Sequence, residues 1–323
     1  MSNRLNFEKL LEGLKHPSSD VFFKYGSLVF AASIIGVIAL SMVVLVRGAF
    51  PALTSFGFRF LTGVNWDAAA GFGALPYILG TLVTASIAII IGVPISLGIA
   101  IFLAEMAPDV IKVAVSNIIE LLAAVPSIIY GLWGLYVLRV WVANYVQSPL
   151  QNSFGFLPIF SGTSYGLNFL TAGLILAIMI IPTVASISRE VMVSVPISQR
   201  EAAYSVGATR WEVVRISVLS YARSGIFGAA VLGLGRAVGE TMAVTMVIGG
   251  ATGASALPTS LFKPGQTMAT ILVNQLSEAE SGSLQLAALL GIGLVLFAIA
   301  FAINIVAQLL VWRVLKVQAG AVE

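Results

Sequence analysis

Two charged residues interrupt the stretch "LGLGRAVGETMAV" at residues 232–244, Arg236 and Glu240. They are the only charges in a 27-residue run of small and apolar residues from Ser224 to Gly250, which is long enough to cross a bilayer. A charge near the bilayer centre costs roughly 2.5–3.5 kcal/mol on insertion scales, so such residues face other helices or a wet cavity. A guanidinium there is a planar, permanently charged set of donors that can meet the oxygens of an anion. On one continuous helix, a spacing of four puts Arg236 and Glu240 on the same face. An ion pair made for helix stability alone is worth about 0.2–0.5 kcal/mol, and the order Arg before Glu is the weaker one. The expected chemistry is therefore the handling of an anion. Arg236 lines its route, and Glu240 restrains the arginine so that the anion can also leave. The alternative is a buried pair that sets the register of a subunit interface without touching substrate.

Composition excludes most other chemistry. Of 323 residues, 59% are hydrophobic and 10% charged, against about 25% charged in soluble domains. The chain reads as an integral membrane protein, and its long continuous apolar runs make it helical rather than a β-barrel. Cysteine is absent and the single histidine, His16, lies in the polar N-terminal segment. No disulfide framework, thiolate metal site or membrane-placed histidine chemistry is open to it, and no cofactor is expected. There are no paired aspartates within the apolar runs and no G-x-x-x-x-G-K-[ST] loop. An intramembrane hydrolase is thereby disfavoured, and any ATP-driven step belongs to a partner.

Six spans position the charges, at about 22–46, 77–104, 112–140, 167–188, 223–250 and 284–312. Pro94, Pro126 and Pro182 fall inside spans and predict kinks. With the N-terminus inside, 12 Lys and Arg residues face the cytoplasm and 4 face outward, which places both termini in the cytoplasm. Residues 1–20 are mostly polar, so no cleavable signal peptide is expected. Leu5, Phe7, Leu10, Leu11 and Leu14 fall near helical spacing, as in a short surface helix or a frayed tail. The expected organisation is a cytoplasmic segment at 1–21, a six-helix transmembrane domain at 22–316, and a cytoplasmic tail at 317–323. The uncharged outer segment 142–166 reads as an ordered interfacial loop. Trp133, Tyr136 and Trp141 read as interface anchors.

The longest cytoplasmic connection, 189–223, carries explicit local signals. Ser198 with Glu201 fits a capping box, Gly207 fits a left-handed helix stop, and Thr209 with Glu212 fits a second box. Two helices joined by a tight turn are expected, the first short and able to enter a groove through Ala202, Ala203 and Tyr204. "EAAYSVGA" (201–208) resembles the EAA motif of ABC importer permeases, Glu-Ala-Ala, three residues, then Gly, with serines at 217 and 220 where that motif has an aliphatic residue and a proline. "GATRWEVV" (207–214), "YARSGI" (221–226), "LGLGRAVGETMAVTMVIG" (232–249), "FLTGVNWD" (60–67), "FGALPYILGTL" (72–82) and "ELLAAVPSIIYGLWGL" (120–135) narrow the resemblance to the PstC family of phosphate permeases.

That resemblance implies an all-α membrane protein with the type I ABC importer (MetI-like) permease core. It implies half of a phosphate translocation pathway in a bacterial inner membrane, not an enzyme. Implied partners are a PstA-like second permease, two PstB-like ATPase subunits and a PstS-like phosphate-binding protein. Glu201, Ala202, Ala203 and Gly207 are then the ATPase-coupling residues. Another oxyanion such as sulfate or molybdate is the near alternative, and an ATPase-independent channel or secondary transporter the distant one.

Overall fold

The computed structural model describes residues 17–162 and 165–319, with side chains over 21–162 and 165–310. The N-terminal apolar spacing at 5–14, His16 and the last residues of the C-terminal tail lie outside the described residues. The chain divides into two units between Gly48 and Ala49. The first is the leading part of helix α1 (Pro17–Phe56); all that follows concerns the second.

The second unit is built almost wholly of helices. After α1, a two-stranded hairpin pairs β1 (Trp66–Asp67) with β2 (Gly71–Phe72). Then come α2 (Leu75–Ile101), extended by a π-turn at Phe102–Met106, α3 (Asp109–Ala124), and α4 (Ser127–Phe154). The central helix α5 (Phe169–Val193) leads to the short α6 (Ile197–Ser205). A long helix α7 (Arg210–Gly239) follows, then α8 (Met242–Val247), α9 (Met268–Gln275) and α10 (Leu284–Ala319). Among the described residues of both units, five helices, α1 included, are long and apolar enough to cross a membrane, or six when the bent pair α3–α4 counts as one span.

Three expectations need correction. The third span is not one helix: the chain bends by 94° between α3 and α4. Pro126 lacks an N–H and holds Val125 extended. The Tyr130 hydroxyl then ties the bend by donating to the Leu122 carbonyl at 2.9 Å. The outer segment 142–166 is not all loop, because helix continues to Phe154. The fifth span does not run from 223 to 250 as one helix. It begins at Arg210, passes without a turn through Ser220 and a π-turn at Val214–Val218, and stops at Gly239.

Glycine notches explain how α5 comes to be the most buried long helix. A Cβ on Gly92 of α2 would lie 2.8 Å from Ile180 of α5, and one on Gly173 of α5 would lie 2.5 Å from Ile87 of α2. Each helix receives the other's isoleucine, and small residues allow this approach in a lipid setting where packing drives association. Val184 and Val191 of α5 fill the notches of Gly233 and Gly225 on α7, at 2.7 and 2.4 Å from the missing Cβ.

Connections sort to two ends. At one end Trp66 donates to Gln275 (2.6 Å), Gly253 N–H to the Tyr77 hydroxyl (3.2 Å), and Ser260 to the Ile159 carbonyl (2.9 Å). These bonds join the connections that follow α1, α4 and α8. At the other end Arg200, within α6, meets Glu105 at the close of α2. Such alternation requires α3 and α4 together to make one crossing.

Candidate functional site

Arg236 sits three residues before the end of α7, half-buried. Its Nη1 donates to Thr183 Oγ1 of α5 at 3.0 Å. Thr183 follows the buried Pro182. Proline supplies no N–H to that turn of helix. Arg236 has no carboxylate partner among the described residues. Their one salt bridge lies elsewhere, between Arg200 and Glu105.

Glu240 is not on the face of α7 that carries Arg236. The helix ends at Gly239, and Glu240 is extended, with φ −69° and ψ 129°. Its Oε1 accepts from the Ala243 N–H at 3.3 Å, so the carboxylate serves the first turn of α8. The expected i, i+4 alignment fails because the helix breaks between the two residues. The break is held by packing: a Cβ on Gly131 of α4 would come within 2.9 Å of Ala243 Cα. The start of α4, just past its own bend, therefore lies against α8. Tyr130, at that same bend, is within electrostatic reach of Arg236. Two broken spans thus face each other around the arginine.

The glycines near the charges divide by role. Gly233 packs on Val184, whereas a Cβ at Gly228, Gly235 or Gly239 would meet nothing within 4 Å. One side of α7 is thus a packing surface, and the other is open on this chain.

In the loop at 189–223, α6 has Pro196 at its N-cap and begins at Ile197. Ser198 is therefore inside the helix, and the expected Ser198–Glu201 capping box does not form. The second box does. Thr209 Oγ1 accepts from Glu212 N–H, and the Glu212 carboxylate accepts from Thr209 N–H at 2.7 Å. Gly207 has φ +82°, with its N–H on the Tyr204 carbonyl and the Ala208 N–H on the Ala203 carbonyl. That pair of bonds is a Schellman stop, which needs the left-handed conformation glycine adopts freely. Glu201 and Ala202 are exposed, together with Tyr204 and Val206, while Ala203 is buried and seats the helix on its own chain.

Comparison with known proteins decides the family. Residues 96–316 match the family described as binding-protein-dependent transport system inner membrane component. The phosphate transport system permease protein PstC of Pasteurella multocida is 43% identical over 94% of this chain and 95% of its own. The chain belongs to the PstC family. PstC of Haemophilus influenzae is 44% identical, covering 91% of this chain and 93% of its own. Among solved structures, the inward-facing MetNI methionine ABC transporter covers 75% of this chain and 94% of its own, at 17% identity and a TM-score of 0.49. A PstC-family chain is a membrane permease subunit of an ABC importer with the MetI-like fold. It is not itself an enzyme, and it works with an ATPase and other subunits.

Sequence reasoning singled out Arg236, Glu240 and the loop at 189–223 but not the residues they contact. Thr183, the hydrogen-bond partner of Arg236, had one signal, a hydroxyl beside an in-span proline. Glu105 had one too, as the first charge after the uncharged second span.

Proposed function

We propose that this permease forms half of the route by which an ATP-driven importer takes up inorganic phosphate, with Arg236 as the residue the anion meets inside the membrane. The supporting observation is a guanidinium in a membrane-spanning helix with no carboxylate partner among the described residues. An uncompensated charge at such depth is costly, and a passing phosphate supplies the missing negative charge. Thr183 occupies Nη1, which leaves the other guanidinium donors to the anion. Glu240 sits close in sequence without neutralising Arg236, so it limits how tightly the anion is held while the arginine stays available. The phosphate assignment draws on relatives named as phosphate transport permeases.

Glu201 and Ala202 present the coupling surface to a PstB-like ATPase. Ala203 anchors α6, and Gly207 sets its end. A PstA-like permease completes the pathway on the open side of α7, and a PstS-like binding protein delivers phosphate outside. Both termini lie in the cytoplasm of a cell whose inner membrane holds the complex, in line with 12 inner against 4 outer basic residues.

The test is phosphate uptake by Arg236→Gln and Glu240→Gln, with assembly checked by co-purification of the ATPase. Assembled complexes are expected to lose uptake in the first variant and to alter it in the second. Normal uptake in both removes the pathway role. Equal ATPase stimulation by phosphate-loaded and sulfate-loaded binding protein would redirect the assignment to another oxyanion.

A further inference from the structure

The salt bridge between Arg200 and Glu105 joins the coupling segment to the rest of the permease. Arg200 Nη2 lies 2.8 Å from Glu105 Oε1, with side chains 19% and 12% exposed. At that depth solvent and salt screen the pair far less than an exposed one. The same guanidinium donates to the carbonyls of Met192, at 2.9 Å, and Val195. These carbonyls lie at and just past the end of α5, where helical acceptors lack partners and a cation complements the dipole. A guanidinium, with five donors in a rigid planar fork, serves the carboxylate and both carbonyls at once. From the other side of Gly207, Arg210 donates to the Glu105 backbone carbonyl. That carbonyl lies in the π-turn that ends the second span.

The backbone alone does not hold α6 rigidly to its neighbours. Pro196 at its start is extended (φ −55°, ψ 140°) and Gly207 past its end is left-handed. Both joints are non-helical, so cross-links must carry any force from α6 into the spans. Ser217 of α7 adds one, donating to the Gln199 carbonyl at 3.0 Å. The cross-link to α2 is Arg200–Glu105. Further along α2, Ser96 donates to the Ile181 carbonyl of α5 at 3.3 Å, two residues before Thr183.

We infer that Glu105 is a coupling residue: its salt bridge with Arg200, braced by Arg210, transmits movement of α6 to the cytoplasmic end of α2. Glu105 touches neither nucleotide nor anion; it acts through position. The inference rests on the reading of α6 as the ATPase-docking element, and the experiment separates the two.

The full importer, with both permeases, the ATPase and the phosphate-binding protein, is reconstituted in vesicles carrying Glu105→Ala, Glu105→Gln or Arg200→Lys. Three quantities are read: ATPase retained on the complex, ATPase rate with and without phosphate-loaded binding protein, and phosphate moved per ATP. The expected result is retained ATPase and unchanged basal hydrolysis. Phosphate per ATP falls by about 5-fold or more in Glu105→Ala and Arg200→Lys, the low end of typical coupling between sites. Glu105→Gln, which keeps an oxygen acceptor, lies between. A Glu105→Ala complex that transports at the wild-type ratio overturns the inference, as does one that sheds the ATPase, since the pair would then shape the docking surface. Should Glu105→Ala not reach the membrane, Glu105→Gln decides in the same way: it removes the charge at constant shape, and a wild-type ratio overturns the inference. Glu201→Lys and Gly207→Val test the underlying reading separately. If both keep the ATPase bound, α6 is not the docking element, whatever Glu105 does.

Discussion

Thr183→Val is the sharpest test of how Arg236, the proposed pathway residue, is held. Valine keeps the shape of threonine and removes the hydroxyl that accepts from Arg236 Nη1 at 3.0 Å. Packing changes little, because Thr183 is half-buried and the volumes match. A hydrogen bond to a charged group contributes about 1.5–3 kcal/mol, and about 1.4 kcal/mol is a factor of ten. Loss of the bond therefore shifts the population of the observed Arg236 pose by about 10- to 100-fold if no other partner replaces Thr183. Arg236 has no competing carboxylate among the described residues, so the lower figure is the minimum expected. Phosphate uptake into vesicles, normalised to assembled complex, should fall by about tenfold, with ATPase retention unchanged. Thr183→Ser keeps the hydroxyl and should stay near wild type. Wild-type uptake by Thr183→Val, alongside loss in Arg236→Gln, would show that α5 does not orient the arginine.

The other predictions concern stability and docking. Gly173→Ala should lower thermal stability in detergent by about 1–3 kcal/mol, the cost of overpacking, because the new Cβ meets the Ile87 side chain at 2.5 Å; Ile87→Ala should recover part of it. Gly207→Ala should cost about 1–2 kcal/mol from backbone conformation alone, since nothing lies within 4 Å of an added Cβ. It should weaken ATPase co-purification more than Gly207→Asn, asparagine being tolerant of that conformation. Thr209→Ala should remove about 1 kcal/mol of capping, read as faster hydrogen exchange at the Glu212 amide with uptake largely kept.

The legible parts of the fold rested on local chemistry. Thr209 with Glu212, and Gly207 after a short helix, are signals complete within a few residues, and both took the expected form. Pro126 announced a break, because a proline restricts the residue before it. Its 94° angle comes with Tyr130 reaching back to Leu122, which spacing alone does not show. The Ser198 box failed because Pro196 had already fixed the helix start. The end of α7 at Gly239 was invisible for a different reason. Hydropathy is the same on both sides of the break, and no proline marks it. What holds it is one tertiary contact, Gly131 against Ala243, together with a local bond, the Glu240 carboxylate on the Ala243 N–H. Glu105 and Arg200 are 95 residues apart in the chain, so their meeting depends on the arrangement of α2, α5 and α6.

On the proposed pathway, the break at Gly239 sets how an anion is met. Had α7 continued through Glu240, the carboxylate would sit one turn from Arg236, and the two charges would satisfy each other inside the membrane. An anion would then have to displace an internal carboxylate before it could bind. Ending the helix turns Glu240 toward α8 and leaves Arg236 with a neutral hydroxyl. Irregular backbone at membrane depth is tolerated only where protein or a cavity surrounds it, and here the bend before α4 covers it. Transporters commonly place substrate sites at such discontinuous helices. The break thus costs helical hydrogen bonds and removes a local ion pair worth only a few tenths of a kcal/mol. In exchange it keeps one permanent positive charge free for a transient partner. A variant that restores helix through 239–241, such as Gly239→Ala with Thr241→Leu, should bring Glu240 nearer Arg236 and lower phosphate uptake while leaving ATPase docking intact. Unchanged uptake with spectroscopically confirmed helix through the break would separate the discontinuity from anion handling.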